Sequence, residues 1–262
     1  MTQDERRLWL IRYLLDEQSA YHEIEVPEDI EGQRSLLRAL MNVRMPLPIS
    51  DGFLEIQDAY LKERSCERGI EDASDLVPTE SDDRLCIWQG DITTLKIDAI
   101  VNACNSQMLG CFRPLHGCID NIIHTYAGVE LRLKMNDIML EQGHEEPVGQ
   151  AKITSGYNLP AKFILHTVGP TVQWRVTARD RHGLASCYRS CLALAAERGA
   201  ESVAFCCIST GVYRFPQDQA AQIAVAAVKD FLDADSRIKR VVFNVFKDED
   251  LGIYRNLLQA SA

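Results

Sequence analysis

Cys111, His116 and Cys118 lie within eight residues, in the stretch Gly110-Cys111-Phe112-Arg113-Pro114-Leu115-His116-Gly117-Cys118. Thiolate and imidazole are the donors zinc prefers, and the glycine and proline among them let a tight loop turn all three side chains inward. Three donors are evident rather than four. Structural zinc sites are nearly always closed by four protein ligands, whereas catalytic ones leave a position open. The same spacing also fits two incidental cysteines and a surface histidine. Cys104, Cys206 or Cys207 could supply a fourth ligand, but each lies in or beside an apolar run and reads as a small buried hydrophobe.

Asp120 follows Cys118 by two residues. A carboxylate there is either the N-terminal cap of the next helix or a group that orients a hydroxyl and accepts a proton beside a metal. His124, one turn later, is a packed helix histidine or a support for that site. His166, inside the run Phe163-Ile164-Leu165-His166-Thr167-Val168, reads as a strand residue with its hydrogen bonds satisfied. A second loop, Ser209-Thr210-Gly211-Val212-Tyr213, precedes a helix at Gln217. Successive backbone N–H groups of such a turn can wrap a diphosphate without any lysine, although Ser-Thr-Gly is also an ordinary turn.

These residues need strands and helices to hold them. From Leu85 onward, short β-branched runs alternate with longer helical ones, the pattern of an α/β domain with a mixed or parallel sheet. It predicts strands at 85–89, 97–102, 151–155, 162–168, 202–208 and 240–246, and helices at 119–127, 130–142, 180–198, 217–233 and 249–259. Both loops then fall at carboxyl ends of strands, where open α/β sheets place their ligand crevice. Residues 1–84 read as a helical extension of three helices. Thr2 and Glu5 form a capping box, and Leu8, Ile11 and Leu15 share a stripe. Gln33–Met41 stops at the prolines 46 and 48, and Gly52–Glu63 resumes the pattern. Residues 64–83 are acidic and poor in aromatics and read as a linker, which divides the chain into 1–84 and 85–262.

The formal charge of -10 over 262 residues is uneven: residues 1–84 carry 20 acidic against 10 basic side chains, and residues 85–262 carry 18 of each. Nucleic-acid binding requires a basic stripe, so that class is set aside. The first thirty residues are too charged for a secretory signal and too acidic for an organelle-targeting helix, and no stretch approaches 18 apolar residues. Nine cysteines, an odd number, do not suggest a disulfide framework. The expectation is a soluble cytoplasmic protein with reduced thiols and no membrane partner.

Five segments occur in one order: Gly90-Asp91-Ile92-Thr93; Asn102-Ala103-Cys104-Asn105; Ile123-His124 with Ala127-Gly128; His166-Thr167-Val168-Gly169-Pro170; and Ser209 to Tyr213. In that order they make residues 85–246 resemble a macrodomain. The resemblance implies a three-layer α/β/α fold with a central mixed sheet that binds ADP-ribose. Asp91 and Ile92 would lie at the adenine end. Ser209, Thr210, Gly211, Val212 and Tyr213 would hold the diphosphate, and Asn102, Asn105 and Asp120 would face the distal ribose.

Most macrodomains carry glycines directly before the aspartate, and the Cys-His-Cys loop here is similar instead to the zinc-dependent microbial ADP-ribosyl hydrolases, which also carry a helical N-terminal extension. That resemblance implies a zinc cofactor on Cys111, His116 and Cys118. It further implies removal of mono-ADP-ribose from modified protein side chains, carboxylate-linked ones in particular, with Asp120 and Asn105 orienting the ribose and the attacked bond. The alternative is a reader module that binds ADP-ribose around a structural zinc without turnover. The extension either packs on the core and closes one side of the pocket or recruits a carrier protein.

Overall fold

The computed structural model describes residues 1–259. Helix α1 (Gln3–Asp16) opens with the expected reciprocal cap: Thr2 Oγ1 accepts the Glu5 N–H at 3.2 Å, and the Glu5 carboxylate accepts the Thr2 N–H at 2.7 Å. Asp29 caps α2 (Ile30–Val43), which stops ahead of the prolines, and Ser50 caps α3 (Asp51–Arg68). Leu10, Ile11, Leu14, Leu37, Leu40 and Phe53 form one buried cluster that also takes in Val129 from the second half of the chain. Leu8 of the expected stripe is half-buried, and Leu10 and Leu14 complete the inner face instead.

Residues 64–83 are not a loop. α3 runs on to Arg68, and Glu71–Asp72 (β1) and Pro78–Thr79 (β2) then pair with the second half: β2 antiparallel with Asp82–Gln89 (β3), and β1 parallel with Leu95–Lys96 (β4). An acidic composition does not register such pairing, because the ladder is made by main-chain groups.

The remaining elements are β5 (Ala99–Cys104), α4 (Ile119–Ala127), α5 (Val129–Gln142), β6 (Ala151–Ser155), β7 (Phe163–Val168), α6 (Ala178–Glu197), β8 (Ser202–Phe205), α7 (Gln217–Ala234), β9 (Arg240–Val245) and α8 (Asp248–Gln259). The seven-stranded sheet has the order β2-β3-β9-β8-β5-β7-β6. Its five inner strands are parallel, and β2 and β6 add antiparallel edges, so the sheet is mixed as expected. Helices α6, α7 and α8 pack together. A second set, α4 and α5, covers β5 and β6, with α2 and α3 against α4. The central strands, covered by helices, read as nearly continuous apolar runs.

Several strand ends differ from expectation: β3 begins at Asp82 rather than 85, β5 at Ala99 rather than 97, and β9 ends at Val245 rather than 246. β5 extends to Cys104, which puts Asn102 inside the strand, and β8 ends at Phe205, where the chain bends toward Ser209 (φ 66).

The extension is keyed to the core where α4 meets α5. Fully buried Gln57 accepts the Val129 N–H at 2.9 Å, and Gly128 beside it has φ +102. A Cβ at Gly128 would stand 2.6 Å from Gln57 Nε2. Gly128→Ala is therefore expected to lower the free energy of unfolding by about 1–3 kcal/mol, measured by urea titration, through a strained φ and a displaced Gln57. An unchanged midpoint would disprove this keying.

Candidate active site

The loop after β5 gathers the three expected donors. The ligand atoms of Cys111, His116 and Cys118 all lie within 4.8 Å of one another, and Cys111 Sγ stands 3.5 Å from His116 Nδ1. Two sulfurs and an imidazole this close, half-buried, form a donor set that suits zinc. Burial pushes the Cys118 thiol up to about 12, with Cys111 and Asp120 adding to the effect against the Asn121 N–H. A nearby cation would offset that penalty on the thiolate. None of the other cysteines joins the cluster among the described residues. Cys104 is buried and donates to Thr167 O at 3.3 Å, and Cys206 and Cys207 sit at the end of β8.

Asp120 is not the helix cap. Cys118 caps α4, its Sγ accepting the Asn121 N–H at 3.4 Å, and this frees the Asp120 carboxylate to turn inward. Asp120 is 4% exposed and accepts a hydrogen bond from Asn102 Nδ2 at 2.9 Å. Burial raises its pKa to about 6, while the Asn102 bond and Arg132 oppose the rise. Asn102 is itself fully buried. Its amide reaches Asp120 and, at 3.3 Å, His166 Nδ1, rather than open space. His166 is satisfied as expected, with Thr154 Oγ1 2.9 Å from Nε2, and burial lowers its pKa to about 3. His124 packs 3.6 Å from Asp120, buried and without a hydrogen-bond partner among the described residues; burial, with Arg132 and His166 nearby, keeps it neutral.

Asn105 shapes the loop. Its Oδ1 accepts the N–H groups of Gln107 and Met108, and its Nδ2 donates to Gly110 O at 3.2 Å. Further along, Asn121 donates to Cys111 O and Arg113 O, and Arg132 donates to Leu109 O while its guanidinium covers the Phe112 ring at 4.3 Å. The extension adds bonds from Arg38 and Asn42.

The 209–213 loop faces the same place. The Tyr213 phenol is pushed up by burial and by its neighbours Cys104, Asp120 and Cys118. Among the described residues, the N–H groups of Gly211, Val212 and Tyr213 have no partner, and the first turn of α7 lacks a side-chain cap. Unpaired amides at a helix N-terminus favour an anion. Ser209 closes against Gly169 so tightly that a Cβ there would lie 2.1 Å from Ser209 Oγ.

At the other end, Asp91 caps Thr93 through Oδ1 and holds an ion pair with Arg68 through Oδ2, and the Arg68 guanidinium lies 3.6 Å over the Tyr126 ring. The Ile92 side chain is buried, and its carbonyl accepts the Leu95 N–H. Phe246, just past β9, is 76% exposed, and Gln89 of β3 donates to its carbonyl. Sequence reading missed Arg68 because its segment read as a linker. It missed Phe246 because the residue read as the end of a strand.

Comparison with known proteins agrees with this geometry. The Macro domain family matches residues 101–224. A protein-ADP-ribose hydrolase of Treponema medium is 54% identical, covering 98% of this chain and 100% of its own. One from Staphylococcus aureus strain MSSA476 is 49% identical over 97% of this chain and 95% of its own. The crystal structure of a Trypanosoma brucei macrodomain in complex with ADP-ribose superposes with a TM-score of 0.65 at 29% identity, over 84% of this chain and 94% of that one. With relatives of this identity matched along nearly their whole length, and the fold shared, the chain belongs to the macro domain family.

Proposed function

We propose that this protein hydrolyses mono-ADP-ribose from modified protein side chains, carboxylate-linked ones in particular, with zinc held by Cys111, His116 and Cys118. One observation carries the reading: three zinc-type donors, a buried carboxylate and a row of unpaired amides converge at the ends of adjacent parallel strands. The hydrolase names of relatives at about half identity support it.

In this reading the amides of Gly211, Val212 and Tyr213, with the N-terminus of α7, bind the diphosphate, so an acidic protein can hold an anionic ligand without a lysine. Asp91, the Ile92 main chain and Phe246 border the adenine. Asp120, fixed by Asn102, accepts a hydrogen bond from a distal ribose hydroxyl and so orients C1″. When bound, zinc supplies Lewis acidity at this reacting end. Water is added across the bond between C1″ and the side-chain oxygen, giving ADP-ribose and a free carboxylate.

The test is release of ADP-ribose from a carboxylate-linked, mono-ADP-ribosylated protein, with metal content measured on the same sample. Wild-type protein is expected to hold about one zinc per chain and to lose activity to a chelator. Cys111→Ala should lose both zinc and turnover while still binding ADP-ribose; full activity in this variant without metal would sink the zinc proposal. Gly169→Ala separates the two loops. Its Cβ must displace Ser209, so ADP-ribose affinity should fall roughly tenfold by calorimetry, about the worth of one hydrogen bond to a charged group, with zinc content unchanged. Unaltered affinity would remove the 209–213 loop from the diphosphate site.

A further inference from the structure

The Cys-His-Cys loop has no regular secondary structure, and the N-terminal helices tie down its main chain. Arg38 on α2 donates through Nη2 to His116 O at 2.7 Å and to Asn121 Oδ1 at 2.8 Å, and Asn121 turns its own amide onto Cys111 O and Arg113 O. One turn further along α2, Asn42, 1% exposed, accepts the Leu115 N–H at 3.0 Å and donates to Thr125 Oγ1 at 3.0 Å. Leu115 has φ 55, a conformation unfavourable for leucine, so the loop is held where it would not settle alone. Arg38 has no carboxylate partner among the described residues, whereas Arg34 pairs with Glu31 and Glu67, and Arg44 with Glu17. A guanidinium that gives one nitrogen to a carbonyl and an amide oxygen, with its buried Nε left without a partner among the described residues, sets position rather than balancing a charge, because its planar head fixes the direction of each bond.

We propose that Arg38 and Asn42 are positioning residues of the metal site: the extension holds the loop so that Cys111, His116 and Cys118 converge before an ion arrives. This rests on the zinc reading given above. Ordering that precedes binding is not charged against the affinity for the ion.

The experiment compares full-length wild type with Arg38→Ala, Arg38→Lys, Asn42→Ala and, as a control on the same helix, Arg34→Ala. Zinc affinity is read by competition with a chromophoric chelator. Alkylation of each cysteine in the metal-free protein is read by peptide mass spectrometry. Arg38→Ala is expected to bind zinc about 10- to 100-fold more weakly, as for other groups that orient metal ligands, and to alkylate faster at Cys111 and Cys118. Buried Cys187 and Cys191 should stay as protected as in wild type, reporting an intact core. Asn42→Ala should move in the same direction, Arg38→Lys should fall between, and Arg34→Ala should change neither reading. Zinc affinity within about two-fold of wild type together with unchanged alkylation in Arg38→Ala would overturn the proposal. If Cys187 and Cys191 open in that variant, Arg38→Lys decides in its place, and wild-type readings there would overturn the proposal equally. A wild-type protein that takes up no zinc would remove the metal reading alone, since the alkylation rates judge the loop without any ion.

Discussion

The loop between β5 and α4 must place three side chains without a ladder of its own, so the main-chain N–H and C=O groups it buries need side-chain partners. Four elements answer that demand. Asn105 turns the chain from within, Asn121 reaches back from α4, Arg132 enters from α5, and Arg38 and Asn42 come from the extension. Much of the architecture follows from this requirement. α2 lies against α4 and so delivers Arg38, while α3 docks at the α4–α5 junction and shares α1 with α2 as a packing partner.

Beneath the loop, a line of buried polar groups runs from Asp120 through Asn102 to His166 and Thr154. Its directions are mutually constrained. Asn102 Nδ2 donates to the carboxylate and faces His166 Nδ1 as an acceptor, which leaves His166 Nε2–H to donate to Thr154 Oγ1. That assignment keeps the histidine neutral, in keeping with the burial that lowers its pKa. Asp120 is thus oriented from below by groups that carry no net charge.

What could be read from the sequence was what is local. The Cys-x4-His-x-Cys cluster, the Ser-Thr-Gly turn, the Thr2–Glu5 cap and the limits of α4 needed only neighbouring residues. Arg38 could not be read in this way, because its acceptors lie 78 and 83 residues away, and Arg68 meets Asp91 across 23 residues. Asp120 was ambiguous because aspartate is a common cap and cysteine is not, so the sulfur that took the capping role left no signature. Asn102 was expected as the last residue of its strand, whereas the strand runs two residues further and seats that side chain among packed elements rather than at the rim. The pairing of 71–79 escaped notice because main-chain ladders do not depend on side-chain type.

Those short pairings have a consequence for how the protein can be divided. With β1 zipped to β4 and β2 lining the outer edge of β3, the segment that resembles a hinge in composition is a seam sewn on both sides. Cutting there would strip the cover from a long strand's free rim and withdraw the arginines that reach across it. Any division of the chain at this segment has to break both pairings at once.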